Sequence, residues 1–529
     1  MASANDSGVV YTKRWVVDFM LDEIGFASGN GLLSKRIVEP SCGTGAFLAG
    51  IADRLCDEVE LLSATWSSIE SSVAAYDIDP VSVECSRSVV ISRLTDRGCP
   101  KDLASSIAQS WVREGDFLLD EIAGGCDFVI GNPPYVRASE IGERRSDYVR
   151  ALSTMSSGCD IYVGFFERGL SILRQGGSLC YICADRWMQN KYGKGLRELV
   201  GTSYDLRAVV RMYGVDAFEE QVDAYPSITV IGSSDPSPDF IFALCDEKFG
   251  EADAVELRTA IDSDVPSSTP AFETCRLDKP SPGDLYPLCS PAKARFVTWA
   301  MESLPTIEES GATIGIGIAT GCNSVFITDR EGLVEENRML PMFIMRDHRR
   351  GRPDKERWLV NPWSDSGELV DLDSYPRLRD YYERNRTALT RRHIAKKNPD
   401  RWYRTIDKVK PGLVDRDILL MPDMASSPDP VLSRGKYPCH NSYWISSDNW
   451  DLRVLGGLLM ADTTRDFIDA LGVKMRGGTL RFEAQYLRLL RVPPYETIGG
   501  HLRDDLRRAF DTGDRDLATS AARAAYGFE

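Results

Sequence analysis

Histidine is scarce in this chain: four in 529 residues, at positions 348, 393, 440 and 501. None lies in the first 340 residues, so no Ser-His-Asp or Cys-His catalytic group can be assembled from that stretch. No apolar run is long enough to span a bilayer, and no secretory leader is recognised. The 13 cysteines are odd in number, scattered and mostly in apolar settings, so the expectation is reduced core thiols in a cytoplasmic protein. Cys180-Tyr181-Ile182-Cys183 has redox or zinc spacing. It falls inside an expected buried strand, where residues three apart face opposite sides, and no second pair follows, so no metal is expected. Internal repeats and low-complexity tracts are also lacking.

Net positive charge is missing too. The formal charge of −16 argues at first against a nucleic-acid partner. Its distribution reverses that reading. Residues 346–491 hold 28 Lys+Arg against 21 Asp+Glu, whereas residues 1–345 hold 30 against 51. A basic segment inside an acidic chain is the footprint of a phosphate-binding face. The hydrophobic fraction of 43% and charged fraction of 27% are those of a globular protein, and the length calls for two or more domains.

Against these absences stand a few dense motifs. Phe128-Val129-Ile130 reads as a buried strand that runs into Asn132-Pro133-Pro134-Tyr135. Two prolines stop the strand and fix the turn, so an amide and an aromatic ring stand on a stiff corner at a strand's carboxyl end. In an open α/β sheet that is where ligands bind. The corner suits methyl transfer to an exocyclic amine. The Asn132 side-chain oxygen and the Pro133 carbonyl can accept both amine N–H groups, which favours a pyramidal nitrogen with its lone pair free. Tyr135 offers a face on which a base can stack.

Upstream, Arg36 to Leu48 reads as strand, glycine-rich loop and helix, with Glu39, Pro40, Gly43 and Gly45 at the turn. A second strand, Val73 to Tyr76, ends in Asp77-Ile78-Asp79-Pro80, and an acid there can hold ribose hydroxyls. A third strand end carries Gly115-Asp116-Phe117-Leu118. Asp116 can accept from an adenine amine, and Phe117 can cover the ring. Acid, acid and amide at successive strand ends describe a nucleoside cleft beside a reaction site.

These motifs resemble the gamma class of DNA adenine-N6 methyltransferases of restriction–modification systems, and the likeness runs nearly end to end. Val10 to Met20 resembles the family's opening cofactor motif, with Thr12 in place but Lys13 and Arg14 where the family usually has prolines. That departure adds positive charge near the expected cofactor carboxylate. Asp160 to Glu167 resembles the helix behind the cofactor, with Phe165 at the aromatic that touches its adenine. Gly176 to Trp187 resembles the next turn, strand and loop. Phe218, ahead of Tyr225 to Val230, falls at the aromatic that packs against a flipped base. The resemblance implies S-adenosylmethionine as cofactor and double-stranded DNA as partner. A separate restriction nuclease or defence-system subunits are further partners it allows, and no membrane is expected.

The implied architecture is α/β, a Rossmann-like class I methyltransferase domain with a mixed α+β target-recognition domain behind it. The expected boundaries are 1–235 for the methyltransferase domain, 236–299 for a linker with some strand content, 300–495 for recognition and 496–529 for a charged helical tail. Ile314 to Ile327 suggests a glycine-bent hairpin. Asp380 to Arg392 suggests one basic amphipathic helix, followed by Lys396 to Arg404, which resembles a recurring segment of the recognition domain. Arg391, Arg392, Lys396, Lys397 and Arg401 are the expected phosphate contacts. Gly477-Gly478 through Pro494 resembles the closing element. No nuclease constellation stands out, so modification without cleavage is expected of this polypeptide. Two alternatives stay open on sequence alone: an RNA or protein-glutamine amine methyltransferase using the same corner, and a non-catalytic DNA-binding subunit.

Overall fold

The structure, a computed structural model, describes residues 11–136, 144–156, 158–219, 226–263, 265–350, 356–472 and 479–528. Val10, Tyr225 and Gly477-Gly478 of the sequence motifs lie outside these residues. Chain packing divides the protein into two compact units, Met1–Pro291 and Ala292–Glu529.

The first unit is built on a nine-stranded sheet. Its strands are β1 (Ile37–Glu39), β2 (Val73–Asp77), β3 (Val112–Glu114), β4 (Cys126–Gly131), β5 (Leu173–Ala184), β6 (Asp205–Arg211), β7 (Pro226–Gly232), β8 (Asp239–Cys245) and β9 (Phe272–Asp278). The spatial order is β3-β2-β1-β4-β5-β7-β6-β8-β9. The first five are mutually parallel, and β7 is antiparallel to both of its neighbours. The chain order reverses between β1 and β4, which opens a crevice at their carboxyl ends. The central strands are buried on both faces, as their near-continuous apolar runs require. Helices α1 (Arg14–Glu23), α2 (Ala46–Leu61), α3 (Pro80–Asp96) and α4 (Lys101–Trp111) precede the Asn132–Tyr135 corner, and α5 (Arg144–Ala151) and α6 (Tyr162–Ser171) follow it.

The expected linker is not a tether. Residues 239–278 add β8, the helix Glu251–Ser263 and β9 to the sheet, and the compact unit runs on to Pro291. β8 pairs with β6 in parallel and with β9 antiparallel. Strand β9 alternates buried and exposed residues, as an edge strand covered on one face does. Its apolar positions were diluted by the Ser- and Pro-rich turns on either side.

The second unit holds two four-stranded sheets. One comprises Ala312–Ile316, Ser442–Ser447, Ile418–Pro422 and Val431–Ser433 in that order. The other comprises Ile327–Thr328, Trp358–Val360, Met339–Phe343 and Tyr437–Pro438. Its core gathers Phe326, Leu359, Tyr382, Leu389 and Leu420. The expected hairpin at 314–327 does not form, because Ala312–Ile316 pairs with Ser442–Ser447 and Ile327–Thr328 with Trp358–Val360. Gly315 and Gly317 are there because any side chain would overlap the Trp444 ring and the Cys439 carbonyl. The expected single helix over 380–392 is two, Pro376–Arg384 and Arg386–Thr390, broken at Asn385. The last residues form helices Gly500–Thr512 and Arg515–Tyr526. Gly456 and Gly457 of helix Leu452–Met460 let the first of these pack close, against Phe510 and the Leu506 backbone.

Candidate active site

The turn from β1 into α2 sets the floor of a cleft. Gly43 and Gly45 both take left-handed backbone, with φ of 50° and 91°. A Cβ at Gly45 would also sit 3.2 Å from the Ser86 backbone, so the loop closes on α3 only through glycine. Ser86 donates its hydroxyl to the Gly43 carbonyl at 2.8 Å, and Asp77 accepts the Gly43 N–H at 2.9 Å. Asp77 accepts from the Asp79 N–H as well. The acid at the end of β2 thus shapes the glycine loop from the neighbouring strand.

A cleft opens above this loop, about 460 Å³ of space counted together with the solvent at its mouth, lined by Thr12, Glu39, Gly43, Asp77 and Asn132 among others. Five expected site residues, from four separate chain segments, therefore share one wall. The cavity also takes Tyr11, Ser41, Cys42, Thr44, Ala46, Phe47 and Pro134, which lie within the sequence motifs but were not singled out as site residues. Their signal was membership of those motifs. Glu39 is 1% exposed, and its Oε2 has no hydrogen-bond partner among the described residues. Burial first, and the charge of Asp77 second, push its carboxyl well above the ordinary range. Its unpartnered oxygen is an acceptor on the cavity wall, and a cation bound beside it would favour the ionised form.

Asn132 follows β4, half-buried, with its side-chain N–H directed at the Thr12 hydroxyl at 3.3 Å. Pro133 is buried. The Tyr135 hydroxyl donates to the Ile182 carbonyl of β5 at 3.3 Å, and burial raises its phenol well above the ordinary range. Tyr135 therefore stays neutral. Phe218 forms an antiparallel bridge with Thr12, flanked by the Lys13 N–H to the Ala217 carbonyl at 3.0 Å and the Glu219 N–H to the Tyr11 carbonyl at 2.9 Å. Residues 11–13 and the segment carrying Phe218 are thus one short ladder. Phe218 itself is 6% exposed.

Asp116 and its neighbours make a second cluster. The Phe117 ring stacks on Phe165, with centroids 5.6 Å apart and planes 14° from parallel. Ile78, at the neighbouring strand end, is 59% exposed. Pro40 packs beside Gly131, within 3.3 Å of where a Cβ would stand there, which ties the glycine loop to β4.

Three charged residues sit differently from the sequence expectation. Lys13 pairs with Asp216 at 2.5 Å, and Arg14 with Asp18 and Asp53, so both charges already have carboxylate partners within the protein. Arg392 donates to the carbonyls of Leu389, Thr320 and Trp402, and lies 5.0 Å from the Phe326 ring centre. It holds the second unit's core together rather than presenting itself to phosphate. Arg391, Lys396, Lys397 and Arg401 are exposed and form no ion pair among the described residues. Among those residues no group of three or more His, Cys, Asp or Glu is arranged to hold a metal, and no helix is long and apolar enough to cross a membrane.

Comparison with known proteins decides the family. The chain is 37% identical to the type II methyltransferase M.PaeR7I of Pseudomonas aeruginosa, over 98% of this chain and 92% of that protein. It is 35% identical to M.XhoI of Xanthomonas vasicola, over 99% and 97% respectively. The chain belongs to the type II restriction–modification methyltransferases. The family model for the Eco57I restriction-modification methylase matches residues 73–218, the stretch from β2 to Phe218. Among solved structures, the type IIL restriction-modification enzyme MmeI in complex with DNA shares the fold, with a TM-score of 0.63 at 12% identity over 97% of this chain and 74% of that one. The protein is therefore a DNA methyltransferase, and membership of this family implies S-adenosylmethionine as methyl donor. The glycine cradle, the buried Glu39 and the acid at the end of β2 fit that cation. The match to M.PaeR7I spans both units, which removes the ground for a reading based on the first unit alone.

Proposed function

We propose that this methyltransferase modifies the N6 amine of adenine in double-stranded DNA, in the gamma-class manner, with the target base turned out of the helix. One observation carries the reading: Asn132, on the Pro133-Pro134-Tyr135 corner, lines the same cavity as Glu39, Gly43 and Asp77. An acceptor for an amine and a cradle for a sulfonium nucleoside then face each other across a single space. S-adenosylmethionine, when bound, supplies a methyl group made electrophilic by its sulfonium. Asn132 and the Pro133 carbonyl accept the two N–H bonds of the amine and hold its lone pair toward the cavity. Tyr135 stacks on the base, and Phe218 walls its far side. Alignment is most of the task, so no histidine base is required. The methylated amine gives up its proton to water.

Asp77 holds the ribose, Asp116 the cofactor's adenine amine, and Ile78, Phe117 and Phe165 its ring. Arg391, Lys396, Lys397 and Arg401 supply phosphate contacts from the second unit, and their exposure without ion pairs supports this. A duplex carrying 2-aminopurine at the target position tests the extrusion step. Its fluorescence should rise on binding, because the amine is unreachable while stacked. Tyr135→Phe should bind and react nearly as the parent does. Tyr135→Ala should lose roughly 1–3 kcal/mol of stacking. Full binding with no brightening would overturn the flipped-base reading.

A further inference from the structure

Helix α5 is polar over most of its surface, and among its described residues Tyr148 alone is buried, at 3% exposure. What that ring is anchored for is visible at its hydroxyl, which donates to Asp116 Oδ2 at 2.8 Å. The other oxygen of the carboxylate, Oδ1, accepts the Leu118 N–H at 3.0 Å. Arg144, at the start of α5, stands 3.6 Å from Oδ2. Burial and the neighbouring Asp116 charge push the Tyr148 phenol up to about 12, so it remains a donor at any physiological pH. Asp116 is thereby held by one donor from its own turn and one from a helix beyond the catalytic corner. A carboxylate has about four acceptor positions, so two donors fix its plane and still leave positions for a ligand.

We infer that Tyr148 is a positioning residue for the cofactor: it orients the Asp116 carboxylate so that a free lone pair meets the exocyclic amine of the cofactor's adenine. This rests on the assignment of Asp116 to that amine. The hydroxyl itself touches no ligand. Its consequence is selectivity for a purine that carries an amine, because a carboxylate locked in place repels the oxygen of a hypoxanthine ring and cannot rotate away.

Calorimetric titration of the full chain with S-adenosylhomocysteine and with S-inosylhomocysteine tests this. Tyr148→Phe keeps the buried ring and removes only the donor. Its affinity for the adenine compound should fall about 5- to 10-fold, the effect of removing one hydrogen bond. Its affinity for the hypoxanthine compound should change less than about twofold, so discrimination narrows. A merely structural role would weaken both compounds alike. Asp116→Ala separates the two layers of the inference. If it weakens the adenine compound while Tyr148→Phe binds like the parent or more tightly, the positioning role is wrong and Asp116 stands. If Asp116→Ala binds both compounds as the parent does, the assignment of Asp116 is wrong and the role of Tyr148 falls with it.

Discussion

Replacing Asn132 by alanine is the most informative single perturbation of this site. The residue follows β4, half-buried, and its amide N–H is directed at the Thr12 hydroxyl at 3.3 Å. The strand and the two following prolines leave the backbone no reason to move, so Asn132→Ala removes an acceptor and little else. A preorganised group of this kind is worth about 3–4 kcal/mol when it acts on charge that develops in the transition state, or a hundred- to thousand-fold in rate. The bond to Thr12 is a neutral hydrogen bond on a partly open surface. Its removal costs about 0.5–1.5 kcal/mol at most, and that cost falls on stability rather than rate. The two effects separate in a single-turnover experiment with saturating S-adenosylmethionine and the protein in excess over duplex. The rate of methyl transfer should fall by two to three orders of magnitude, while cofactor affinity stays within a few-fold of the parent. Near-parental transfer would refute the placement of the reacting amine at this corner. A large loss of cofactor affinity with an unchanged rate would move Asn132 from the reacting amine to the cofactor.

Asp77→Ala should weaken S-adenosylmethionine binding by about 1.5–3 kcal/mol in calorimetry, since it removes a charged acceptor at the ribose position and the support of the Gly43 N–H. An unchanged affinity would remove Asp77 from the cofactor site. Neutralising Lys396 and Lys397 together should weaken binding to all DNA sequences alike. It should also flatten the slope of log affinity against log salt by about one unit for each phosphate left without its lysine. Cofactor affinity should not move. An unchanged slope would mean that this exposed cluster is a solvated face and that DNA follows another path.

The gathering of Asn132, Asp77 and Glu39 on one cavity was legible because these residues sit where the chain has little freedom. Asn132 and Glu39 lie beside prolines or glycines at strand ends, Asp77 closes β2, and strand ends in a parallel sheet converge on one edge. Local sequence therefore implied a shared cavity. Tyr148 was not legible. It stands in a polar stretch between charged residues, and only the return of α5 over the third strand end gives its hydroxyl a partner 32 positions away. Arg392 misled for the same reason: its carbonyl partners include Thr320, 72 positions distant. The pairing of β8 and β9 was hidden because an edge strand needs only alternate apolar residues, and Ser- and Pro-rich turns on both sides averaged those away. Gly315 and Gly317 read as bend signals but serve close packing against Trp444 and Cys439, which the local sequence cannot reveal.

The central claim is that the amine of adenine is the group methylated. The most direct test incubates the purified protein with duplex DNA of varied sequence and S-adenosylmethionine labelled in its methyl group, then digests the DNA and separates the nucleosides by mass spectrometry. The label should appear in N6-methyldeoxyadenosine alone, and it should disappear with Asn132→Ala. Label in a methylated cytosine instead would contradict the assignment of the target base, and label that persists in Asn132→Ala would contradict the assignment of the active site.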